Sequence, residues 1–137
     1  MSNIIVDTGP LVGFLVETDS HHAWAVERFR ELPAPFFTCE PVLTESFHLV
    51  SRLHDGPSKF FDLLDSGLLT VAFDALAERQ ALRKLISKYS DVPMSLADAC
   101  LVRMTEQIDD PVVFTTDRHF RTYRKNGRQM IPLVIPG

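Results

Sequence analysis

Short apolar runs alternate along this chain with longer segments in which apolar residues recur at helical spacing. The runs occupy residues 4–6, 36–39, 68–73, 112–116 and 130–135. An apolar run without polar alternation is typical of a strand that is covered on both faces, as in a parallel sheet. Strands separated by helices imply right-handed crossovers. The pattern therefore predicts an α/β fold, with Pro132 indicating that the last strand lies at the sheet edge.

Proline and capping residues set the predicted helix starts. Pro10 and Pro41 suit the first turn of a helix, where a missing N–H costs nothing, and Asp74 suits an N-cap. From residue 42 onward, an advance of 100° per residue places Val42 and five other apolar residues, through Leu53, on one buried arc, with Glu45 at its edge. Helices are predicted over residues 11–16, 20–32, 40–53, 58–65, 74–89, 95–108 and 118–125.

Length and composition indicate one domain, residues 1–137, with its own core, because 45% of the 137 residues are hydrophobic. We expect a cytoplasmic protein, since neither a membrane-spanning stretch nor a signal peptide is evident. Cys39 and Cys100 lack metal-site spacing and are predicted to be reduced, buried thiols. The net charge of −4 counts mildly against a nucleic-acid partner. Carboxylates gathered to bind cations would account for that charge.

Four carboxylates lie where they can meet. Asp7 and Asp117 each follow an apolar strand, at the sheet edge where α/β proteins bind ligands. Glu45 lies at the edge of an apolar helix face, and Asp98 lies about 60° from Leu101 on an apolar helix, where an unpaired charge is costly.

Each carboxylate also has a simpler interpretation. Asp7 and Asp117 suit turns and N-caps, and Ser95 with Asp98 fits the S-x-x-D capping pattern. Glu45 could pair with a neighbouring basic side chain of its own helix. Taken singly, these residues leave a structural and a functional role open.

Taken together, the four carboxylates indicate metal chemistry. Carboxylates that converge in one cleft cannot all stay ionised unless cations bind them. Ligation by oxygen alone favours Mg²⁺ or Mn²⁺. A pair of such ions can clamp the attacking water and the leaving oxygen of a phosphodiester.

Four segments of the chain resemble the signature segments of the PIN-domain nucleases, especially the VapC-type toxins and their free-standing relatives. They are residues 4–10, helical Glu45, residues 94–99 and residues 115–120, and the resemblance spans nearly the whole chain. It implies a three-layer α/β/α fold with a parallel sheet in the order 3-2-1-4-5. It also implies Mg²⁺- or Mn²⁺-dependent RNA cleavage that leaves 5′-phosphate and 3′-hydroxyl ends.

Through this resemblance the four carboxylates correspond to the family's acidic quartet. Asp7 and Asp98 are expected to bind a metal directly, with Asp117 and Glu45 holding a second ion or its waters. Thr8 and Thr116 are expected to orient carboxylates. Basic residues after the last carboxylate are expected to bind RNA phosphates, namely Arg118, Arg121 and Arg124, with Lys125 and Arg128 nearby.

The resemblance also implies partners. The family forms homodimers, and its toxin members are inhibited by an antitoxin whose C-terminal segment enters the cleft. The alternative function is a PIN-fold module that binds RNA or protein without catalysis. A phospho-acceptor receiver domain with Asp74 lacks the required adjacent acids and lysine, and a haloacid-dehalogenase-like phosphatase requires an Asp where this chain has Gly9. RNA preference, and a toxin as against a housekeeping role, stay open.

Overall fold

The five apolar runs form one parallel sheet in the computed structural model, which describes residues 1–137. The strands of the chain are β1 (Asn3–Val6), β2 (Phe36–Thr38), β3 (Leu69–Val71), β4 (Pro111–Phe114), β5 (Arg124–Lys125), β6 (Gln129–Met130) and β7 (Leu133–Val134). The sheet has the order β3-β2-β1-β4-β7, so the predicted sheet order is confirmed with β7 as the fifth strand. A separate antiparallel hairpin joins β5 to β6.

Six α-helices and one 3-10 turn, Arg118–Arg121, accompany the sheet, as predicted for an α/β protein. None of the helices combines the length and the apolar character needed to cross a membrane. The helices are α1 (Thr8–Leu15), α2 (His22–Glu31), α3 (Glu40–Val50), α4 (Gly56–Asp65), α5 (Arg79–Lys88) and α6 (Leu96–Gln107).

The central strand β1 is buried between β2 and β4 and is the only strand paired with both. Its register with β4 runs from Asn3 opposite Pro111 to Val6 opposite Phe114. The next step along the same register brings Asp7 beside Thr115. Because parallel strands end at a common edge, this register determines which side chains meet where the two strands finish.

Aromatic contacts fix helix α2 against the sheet beneath that edge. The ring of Phe29 lies 4.8 Å from that of Phe36 on β2 and 4.9 Å from that of Phe114 on β4, centroid to centroid. Trp24 adds a contact with Phe114 at 5.3 Å. Such tilted ring pairs contribute about 0.5–1.5 kcal/mol each beyond the area they bury, so they stabilise the packing of α2 on β2 and β4.

The first helix begins earlier than predicted. Asp7 is its N-cap, and the carboxylate accepts a hydrogen bond from the N–H of Thr8, so α1 starts at Thr8 rather than at residue 11. Pro10 is therefore not the first helical residue, although it still lies in the first turn, where its missing N–H leaves no bond unmade.

The segment after β4 differs most from its prediction. The predicted helix over residues 118–125 ends at Arg121 as a 3-10 turn, and Arg124 already belongs to a strand. Asn126 and Gly127 both have positive φ and belong to the three-residue loop, residues 126–128, that joins Lys125 to Gln129 in this hairpin. Met130 consequently pairs within this hairpin, and the edge strand is only Leu133–Val134.

Two further helix boundaries differ from the predicted ones. Asp74 caps a turn by accepting from the N–H of Ala77, and α5 begins only at Arg79. Helix α3 ends at Val50, so Leu53 lies beyond the helix and is exposed. Leu49 lies within the helix but is also exposed, so the buried face of α3 is smaller than predicted.

A glycine pair in α1 gives a test of this packing. A Cβ on Gly9 would lie 2.0 Å from Oγ1 of Thr116, whereas a Cβ on Gly13 would have Ala25 Cβ as its nearest neighbour at 3.3 Å. We expect Gly9→Ala to lower the free energy of unfolding by about 1–3 kcal/mol through overpacking. We expect Gly13→Ala to change it by less than about 1 kcal/mol, because the gain in helix propensity offsets the tighter contact. Urea unfolding measures both, and equal losses would contradict this packing.

Candidate active site

Asp7 is the most deeply buried carboxylate of the site, with 6% of its surface exposed. Its Oδ1 accepts from the N–H of Thr8 at 2.7 Å, and its Oδ2 accepts from Oγ1 of Thr115 at 2.6 Å. Burial raises the pKa of Asp7 from the ordinary 3.8 to about 7, against the lowering effect of these two hydrogen bonds. The neighbouring charges of Asp98 and Glu45 raise it further.

Asp98 lies at the start of α6 and takes part in a capping box. Its Oδ2 accepts from the N–H of Ser95 at 3.0 Å, while its own N–H donates to Oγ of Ser95, also at 3.0 Å. Oδ1 is left free for a ligand. Burial raises the pKa of Asp98, the hydrogen bond from the Ser95 backbone opposes that change, and the charges of Asp117 and Glu45 add to it. The capping interpretation and the site interpretation of Asp98 are thus compatible.

Asp117 follows β4 and is fixed by its own turn. Its Oδ1 accepts from the N–H of His119 at 2.9 Å and lies 2.9 Å from the ring Nδ1 of the same histidine, within hydrogen-bond distance. The N–H of Asp117 donates to Oγ1 of Thr115 at 2.9 Å. These contacts orient the carboxylate and leave its Oδ2 free.

Glu45 is exposed on α3 and makes no ion pair, so the predicted alternative of a basic partner on its own helix is not what the structure shows. It lines an open groove of about 1010 Å³ together with Ser95 and the exposed apolar side chains of Leu76 and Leu96. The other three carboxylates lie outside the lining of this groove. Glu45 therefore stands between the groove and the buried end of the site.

The electrostatic couplings show that the four carboxylates share one region. The charges of Asp98 and Glu45 raise the pKa of Asp7, and the charges of Asp117 and Glu45 raise the pKa of Asp98. Only Asp117 has a basic partner, the imidazole of His119. Buried negative charge without a cation is costly, so the site as it stands is suited to binding one.

The donor set fits a hydrated divalent ion. All four side chains offer oxygen, the ligand that Mg²⁺ and Mn²⁺ prefer. No three His, Cys, Asp or Glu side chains are grouped closely enough to enclose an ion by themselves. Mg²⁺ usually keeps several waters and binds through one or two carboxylates. The free oxygens of Asp98 and Asp117, with buried Asp7, match that mode.

Thr115, rather than Thr116, forms hydrogen bonds with two of the acidic residues, with the carboxylate of Asp7 and with the backbone of Asp117. It donates to Asp7 and accepts from the N–H of Asp117, whereas Oγ1 of Thr116 packs beside Gly9. Thr8 acts through its backbone, and its buried hydroxyl has no hydrogen-bond partner. The signal that identifies Thr115 is strand register: aligning the starts of β1 and β4 places it opposite Asp7.

Tyr123 is a second residue that the sequence did not single out. Its hydroxyl lies 3.4 Å from Oδ2 of Asp98 and donates to the carbonyl of Pro93. Burial raises the pKa of Tyr123, and the charges of Asp98 and Asp117 raise it further. The buried tyrosine therefore closes the side of the site next to Asp98.

The predicted phosphate-binding arginines differ in how far their side chains are engaged by other groups of the protein. Arg118 and Arg121 are exposed and form no ion pairs. One guanidinium nitrogen of Arg124, Nη1, donates to the carbonyls of Arg121, Thr122 and Tyr123, so this side chain secures the end of the 3-10 turn.

The two cysteines form no disulfide bond. Cys39 and Cys100 are buried and free, as predicted.

The raised pKa of Asp7 predicts how stability depends on pH in metal-free buffer. The unfolded chain releases this proton near pH 3.8 and the native state near pH 7. The free energy of unfolding should therefore fall between these values, by up to about 4 kcal/mol. Asp7→Asn removes this slope and gains stability relative to the wild type up to about pH 7. Urea unfolding with EDTA at several pH values measures this dependence, with Asp62→Asn at an exposed position of α4 as control. Parallel curves for the wild type and Asp7→Asn would contradict the assignment.

Thr115→Val keeps the shape of the side chain and removes its hydroxyl. We expect the pKa of Asp7 to rise, because the lost hydrogen bond favours the charged form. The free energy of unfolding should fall by about 1–3 kcal/mol, since the N–H of Asp117 loses its acceptor. Carboxyl ¹³C NMR titration measures the pKa, and Thr116→Val is the matched control. The same pKa of Asp7 in both variants would refute the role given to Thr115.

Comparison with known proteins finds similarity in structure but not in sequence. No family model and no curated protein matches the chain. VapC20 of Mycobacterium tuberculosis, a toxin that cleaves the sarcin-ricin loop, superposes with a TM-score of 0.70 at 23% identity, covering 85% of this chain and 91% of that one. A chain of DNA-bound VapBC from Salmonella typhimurium superposes with a TM-score of 0.61 at 16% identity, covering 98% of each chain.

These similarities agree with the sequence resemblance at the level of the fold. Both solved structures cover most of this chain, and the sheet order is the one that the resemblance implied. The chain therefore has the PIN-like fold of the VapC-type proteins.

Proposed function

We propose that this protein is an endoribonuclease that hydrolyses RNA phosphodiester bonds with Mg²⁺ or Mn²⁺. The observation that supports the proposal is the electrostatic coupling of buried Asp7, at the end of β1, to Asp98 and Glu45, and of Asp98 to Asp117. Of these four carboxylates only Asp117 contacts a basic side chain. The fold it shares with a toxin that cleaves the sarcin-ricin loop supports RNA as the substrate. Because all four carboxylates offer oxygen as the ligand atom, a hard divalent ion is the cofactor that suits them.

Asp7 and Asp98 are the proposed direct metal ligands, and Asp117 and Glu45 would hold a second ion or its waters. The bound metal would make a water nucleophilic at neutral pH and neutralise charge on the phosphate. The chain's own groups keep the ligands in place: Thr115 holds Asp7, the Ser95 backbone holds Asp98, and His119 holds Asp117. Such supporting contacts typically change metal affinity or activity 10- to 100-fold.

Arg118 and Arg121 are the proposed phosphate contacts nearest the site. Both follow Asp117 in the 3-10 turn and are exposed without acidic partners. Arg124 supports this arrangement by holding the end of the turn, and it contributes positive charge from a half-buried position. An arginine can form two parallel hydrogen bonds with a phosphate, which adds orientation to attraction.

We further propose a biological context. The fold shared with a VapC toxin and with a chain of VapBC supports a toxin of a toxin–antitoxin pair, with an antitoxin protein as partner. A homodimer, which the family resemblance implies, and a cytoplasmic location complete this proposal.

RNA cleavage with matched variants tests the function. Purified wild type should cut single-stranded or structured RNA with Mn²⁺ and stop with EDTA. Asp7→Asn and Asp98→Asn should each lose more than about 10²-fold in rate, because each removes a ligand. Asp62→Asn, at an exposed position of α4, should keep full activity.

Two results would contradict the proposal. Cleavage that survives in both ligand variants would mean that the activity belongs to another site or to a contaminant. RNA binding without any cleavage, by folded protein free of antitoxin, would favour the catalytically silent binding module.

A further inference from the structure

The positive charge of this acidic protein is concentrated in two segments that touch each other. Nine of the fourteen Lys and Arg residues lie in α5 or in residues 118–128, and neither segment contains an Asp or Glu. None of these nine side chains forms an ion pair, whereas Arg28 and Arg103 elsewhere each pair with glutamates. A protein of net charge −4 thus carries a local basic surface without internal compensation.

Specific contacts join the two segments. Nζ of Lys88, the last residue of α5, donates to the carbonyl of Gly127 at 2.6 Å. The N–H of Arg124 donates to the hydroxyl of Tyr89 at 2.8 Å, and the ring of Tyr89 lies 5.1 Å from that of Tyr123. The C-terminal end of α5 and the β5–β6 hairpin therefore form one continuous surface.

We name four exposed or half-buried basic side chains of this surface the basic flank. It consists of Lys84 and Lys88 on α5, with Lys125 and Arg128 on the hairpin. Lys84 and Lys88 are four residues apart and so lie on one helix face. The acidic side chain that contacts the hairpin, Glu106, is already engaged by Arg103 and by the N–H of Asn126. The flank thus presents unbalanced positive charge to solvent.

The basic flank lies outside the carboxylate site. The hairpin turn is held against α6 at Glu106, through a 2.6 Å hydrogen bond from the N–H of Asn126. Glu106 is eight residues beyond Asp98 on that helix, which corresponds to about 12 Å at 1.5 Å per residue. A nucleic-acid strand covers that distance in three to four stacked nucleotides at about 3.4 Å each.

From this geometry we propose that the basic flank is an RNA-binding surface outside the cleft, which holds the phosphate backbone of the substrate beyond the bond that is cut. The proposal rests on the proposed nuclease function. A basic surface on an otherwise acidic chain is the electrostatic footprint of nucleic-acid binding. Phosphate contacts of this kind position the substrate and strengthen binding without reading its sequence. The flank would therefore favour RNA that extends past the cleft over a small fragment.

A charge-matched pair of triple variants tests this surface. Lys84→Gln, Lys125→Gln and Arg128→Gln together remove three charges from the basic flank and keep the Lys88 contact with Gly127. Arg30→Gln on α2, Arg52→Gln in the turn after α3 and Lys59→Gln on α4 remove three exposed charges and give the same net charge. Binding is measured by fluorescence anisotropy with EDTA, using a stem-loop RNA of about 20 nucleotides and a tetranucleotide, at several salt concentrations.

The flank triple variant should bind the stem-loop about tenfold more weakly, and its dependence of log K on log salt should be flatter by about 2 to 3. Its affinity for the tetranucleotide, and its kcat on the stem-loop, should match the wild type. The control triple variant should match the wild type on both RNAs.

Two results would overturn the proposal: equal weakening in the flank and control variants, or equal weakening toward the stem-loop and the tetranucleotide. The binding measurements need no cleavage. A protein that cuts nothing would therefore contradict the nuclease assignment alone, and the anisotropy results would still decide the role of the flank.

Discussion

The burial of Asp7 at the end of the central strand is the constraint on which the rest of the site depends. This carboxylate is held by Thr115 and by the start of α1, yet no cation faces it. An isolated buried carboxylate tends to keep its proton, and here its pKa is raised to about 7. A divalent cation would resolve that conflict and would at the same time account for the position of the other three carboxylates.

The elements that build the fold are the same ones that orient the site. Asp7 caps α1, Asp98 belongs to the capping box of α6, and Asp117 caps the 3-10 turn after β4. A carboxylate has two oxygens with several lone pairs, and capping a helix uses only some of them. The same carboxylate can therefore cap a helix and bind a metal ion. Structural and catalytic interpretations of these acids are therefore not alternatives, because a capped carboxylate is already fixed for binding.

Unbroken apolar runs followed by Asp7 and Asp117 are strong local patterns, so the sequence predicted the strands that lead to these carboxylates. The sheet order was expected from the family resemblance and is the one that the structure has. It did not predict that Thr115 would take the role expected of Thr116, since that choice depends on the register between β1 and β4. It also missed the hairpin, where the tight turn at Asn126 and Gly127 outweighed the helical pattern of residues 118–125. Local patterns identify elements, whereas register and chain reversal depend on long-range contacts.

Direct measurement of Mn²⁺ binding tests the central claim, that the four carboxylates form a cation site. Isothermal titration calorimetry at pH 8 should show Mn²⁺ binding to the wild type and at least about tenfold weaker binding to an Asp7→Asn, Asp98→Asn double variant, which keeps the shape of both side chains. Asp62→Asn should bind as the wild type does. Equal affinity in the wild type and the double variant, with both shown to be folded, would contradict the account, because the ion would then bind elsewhere.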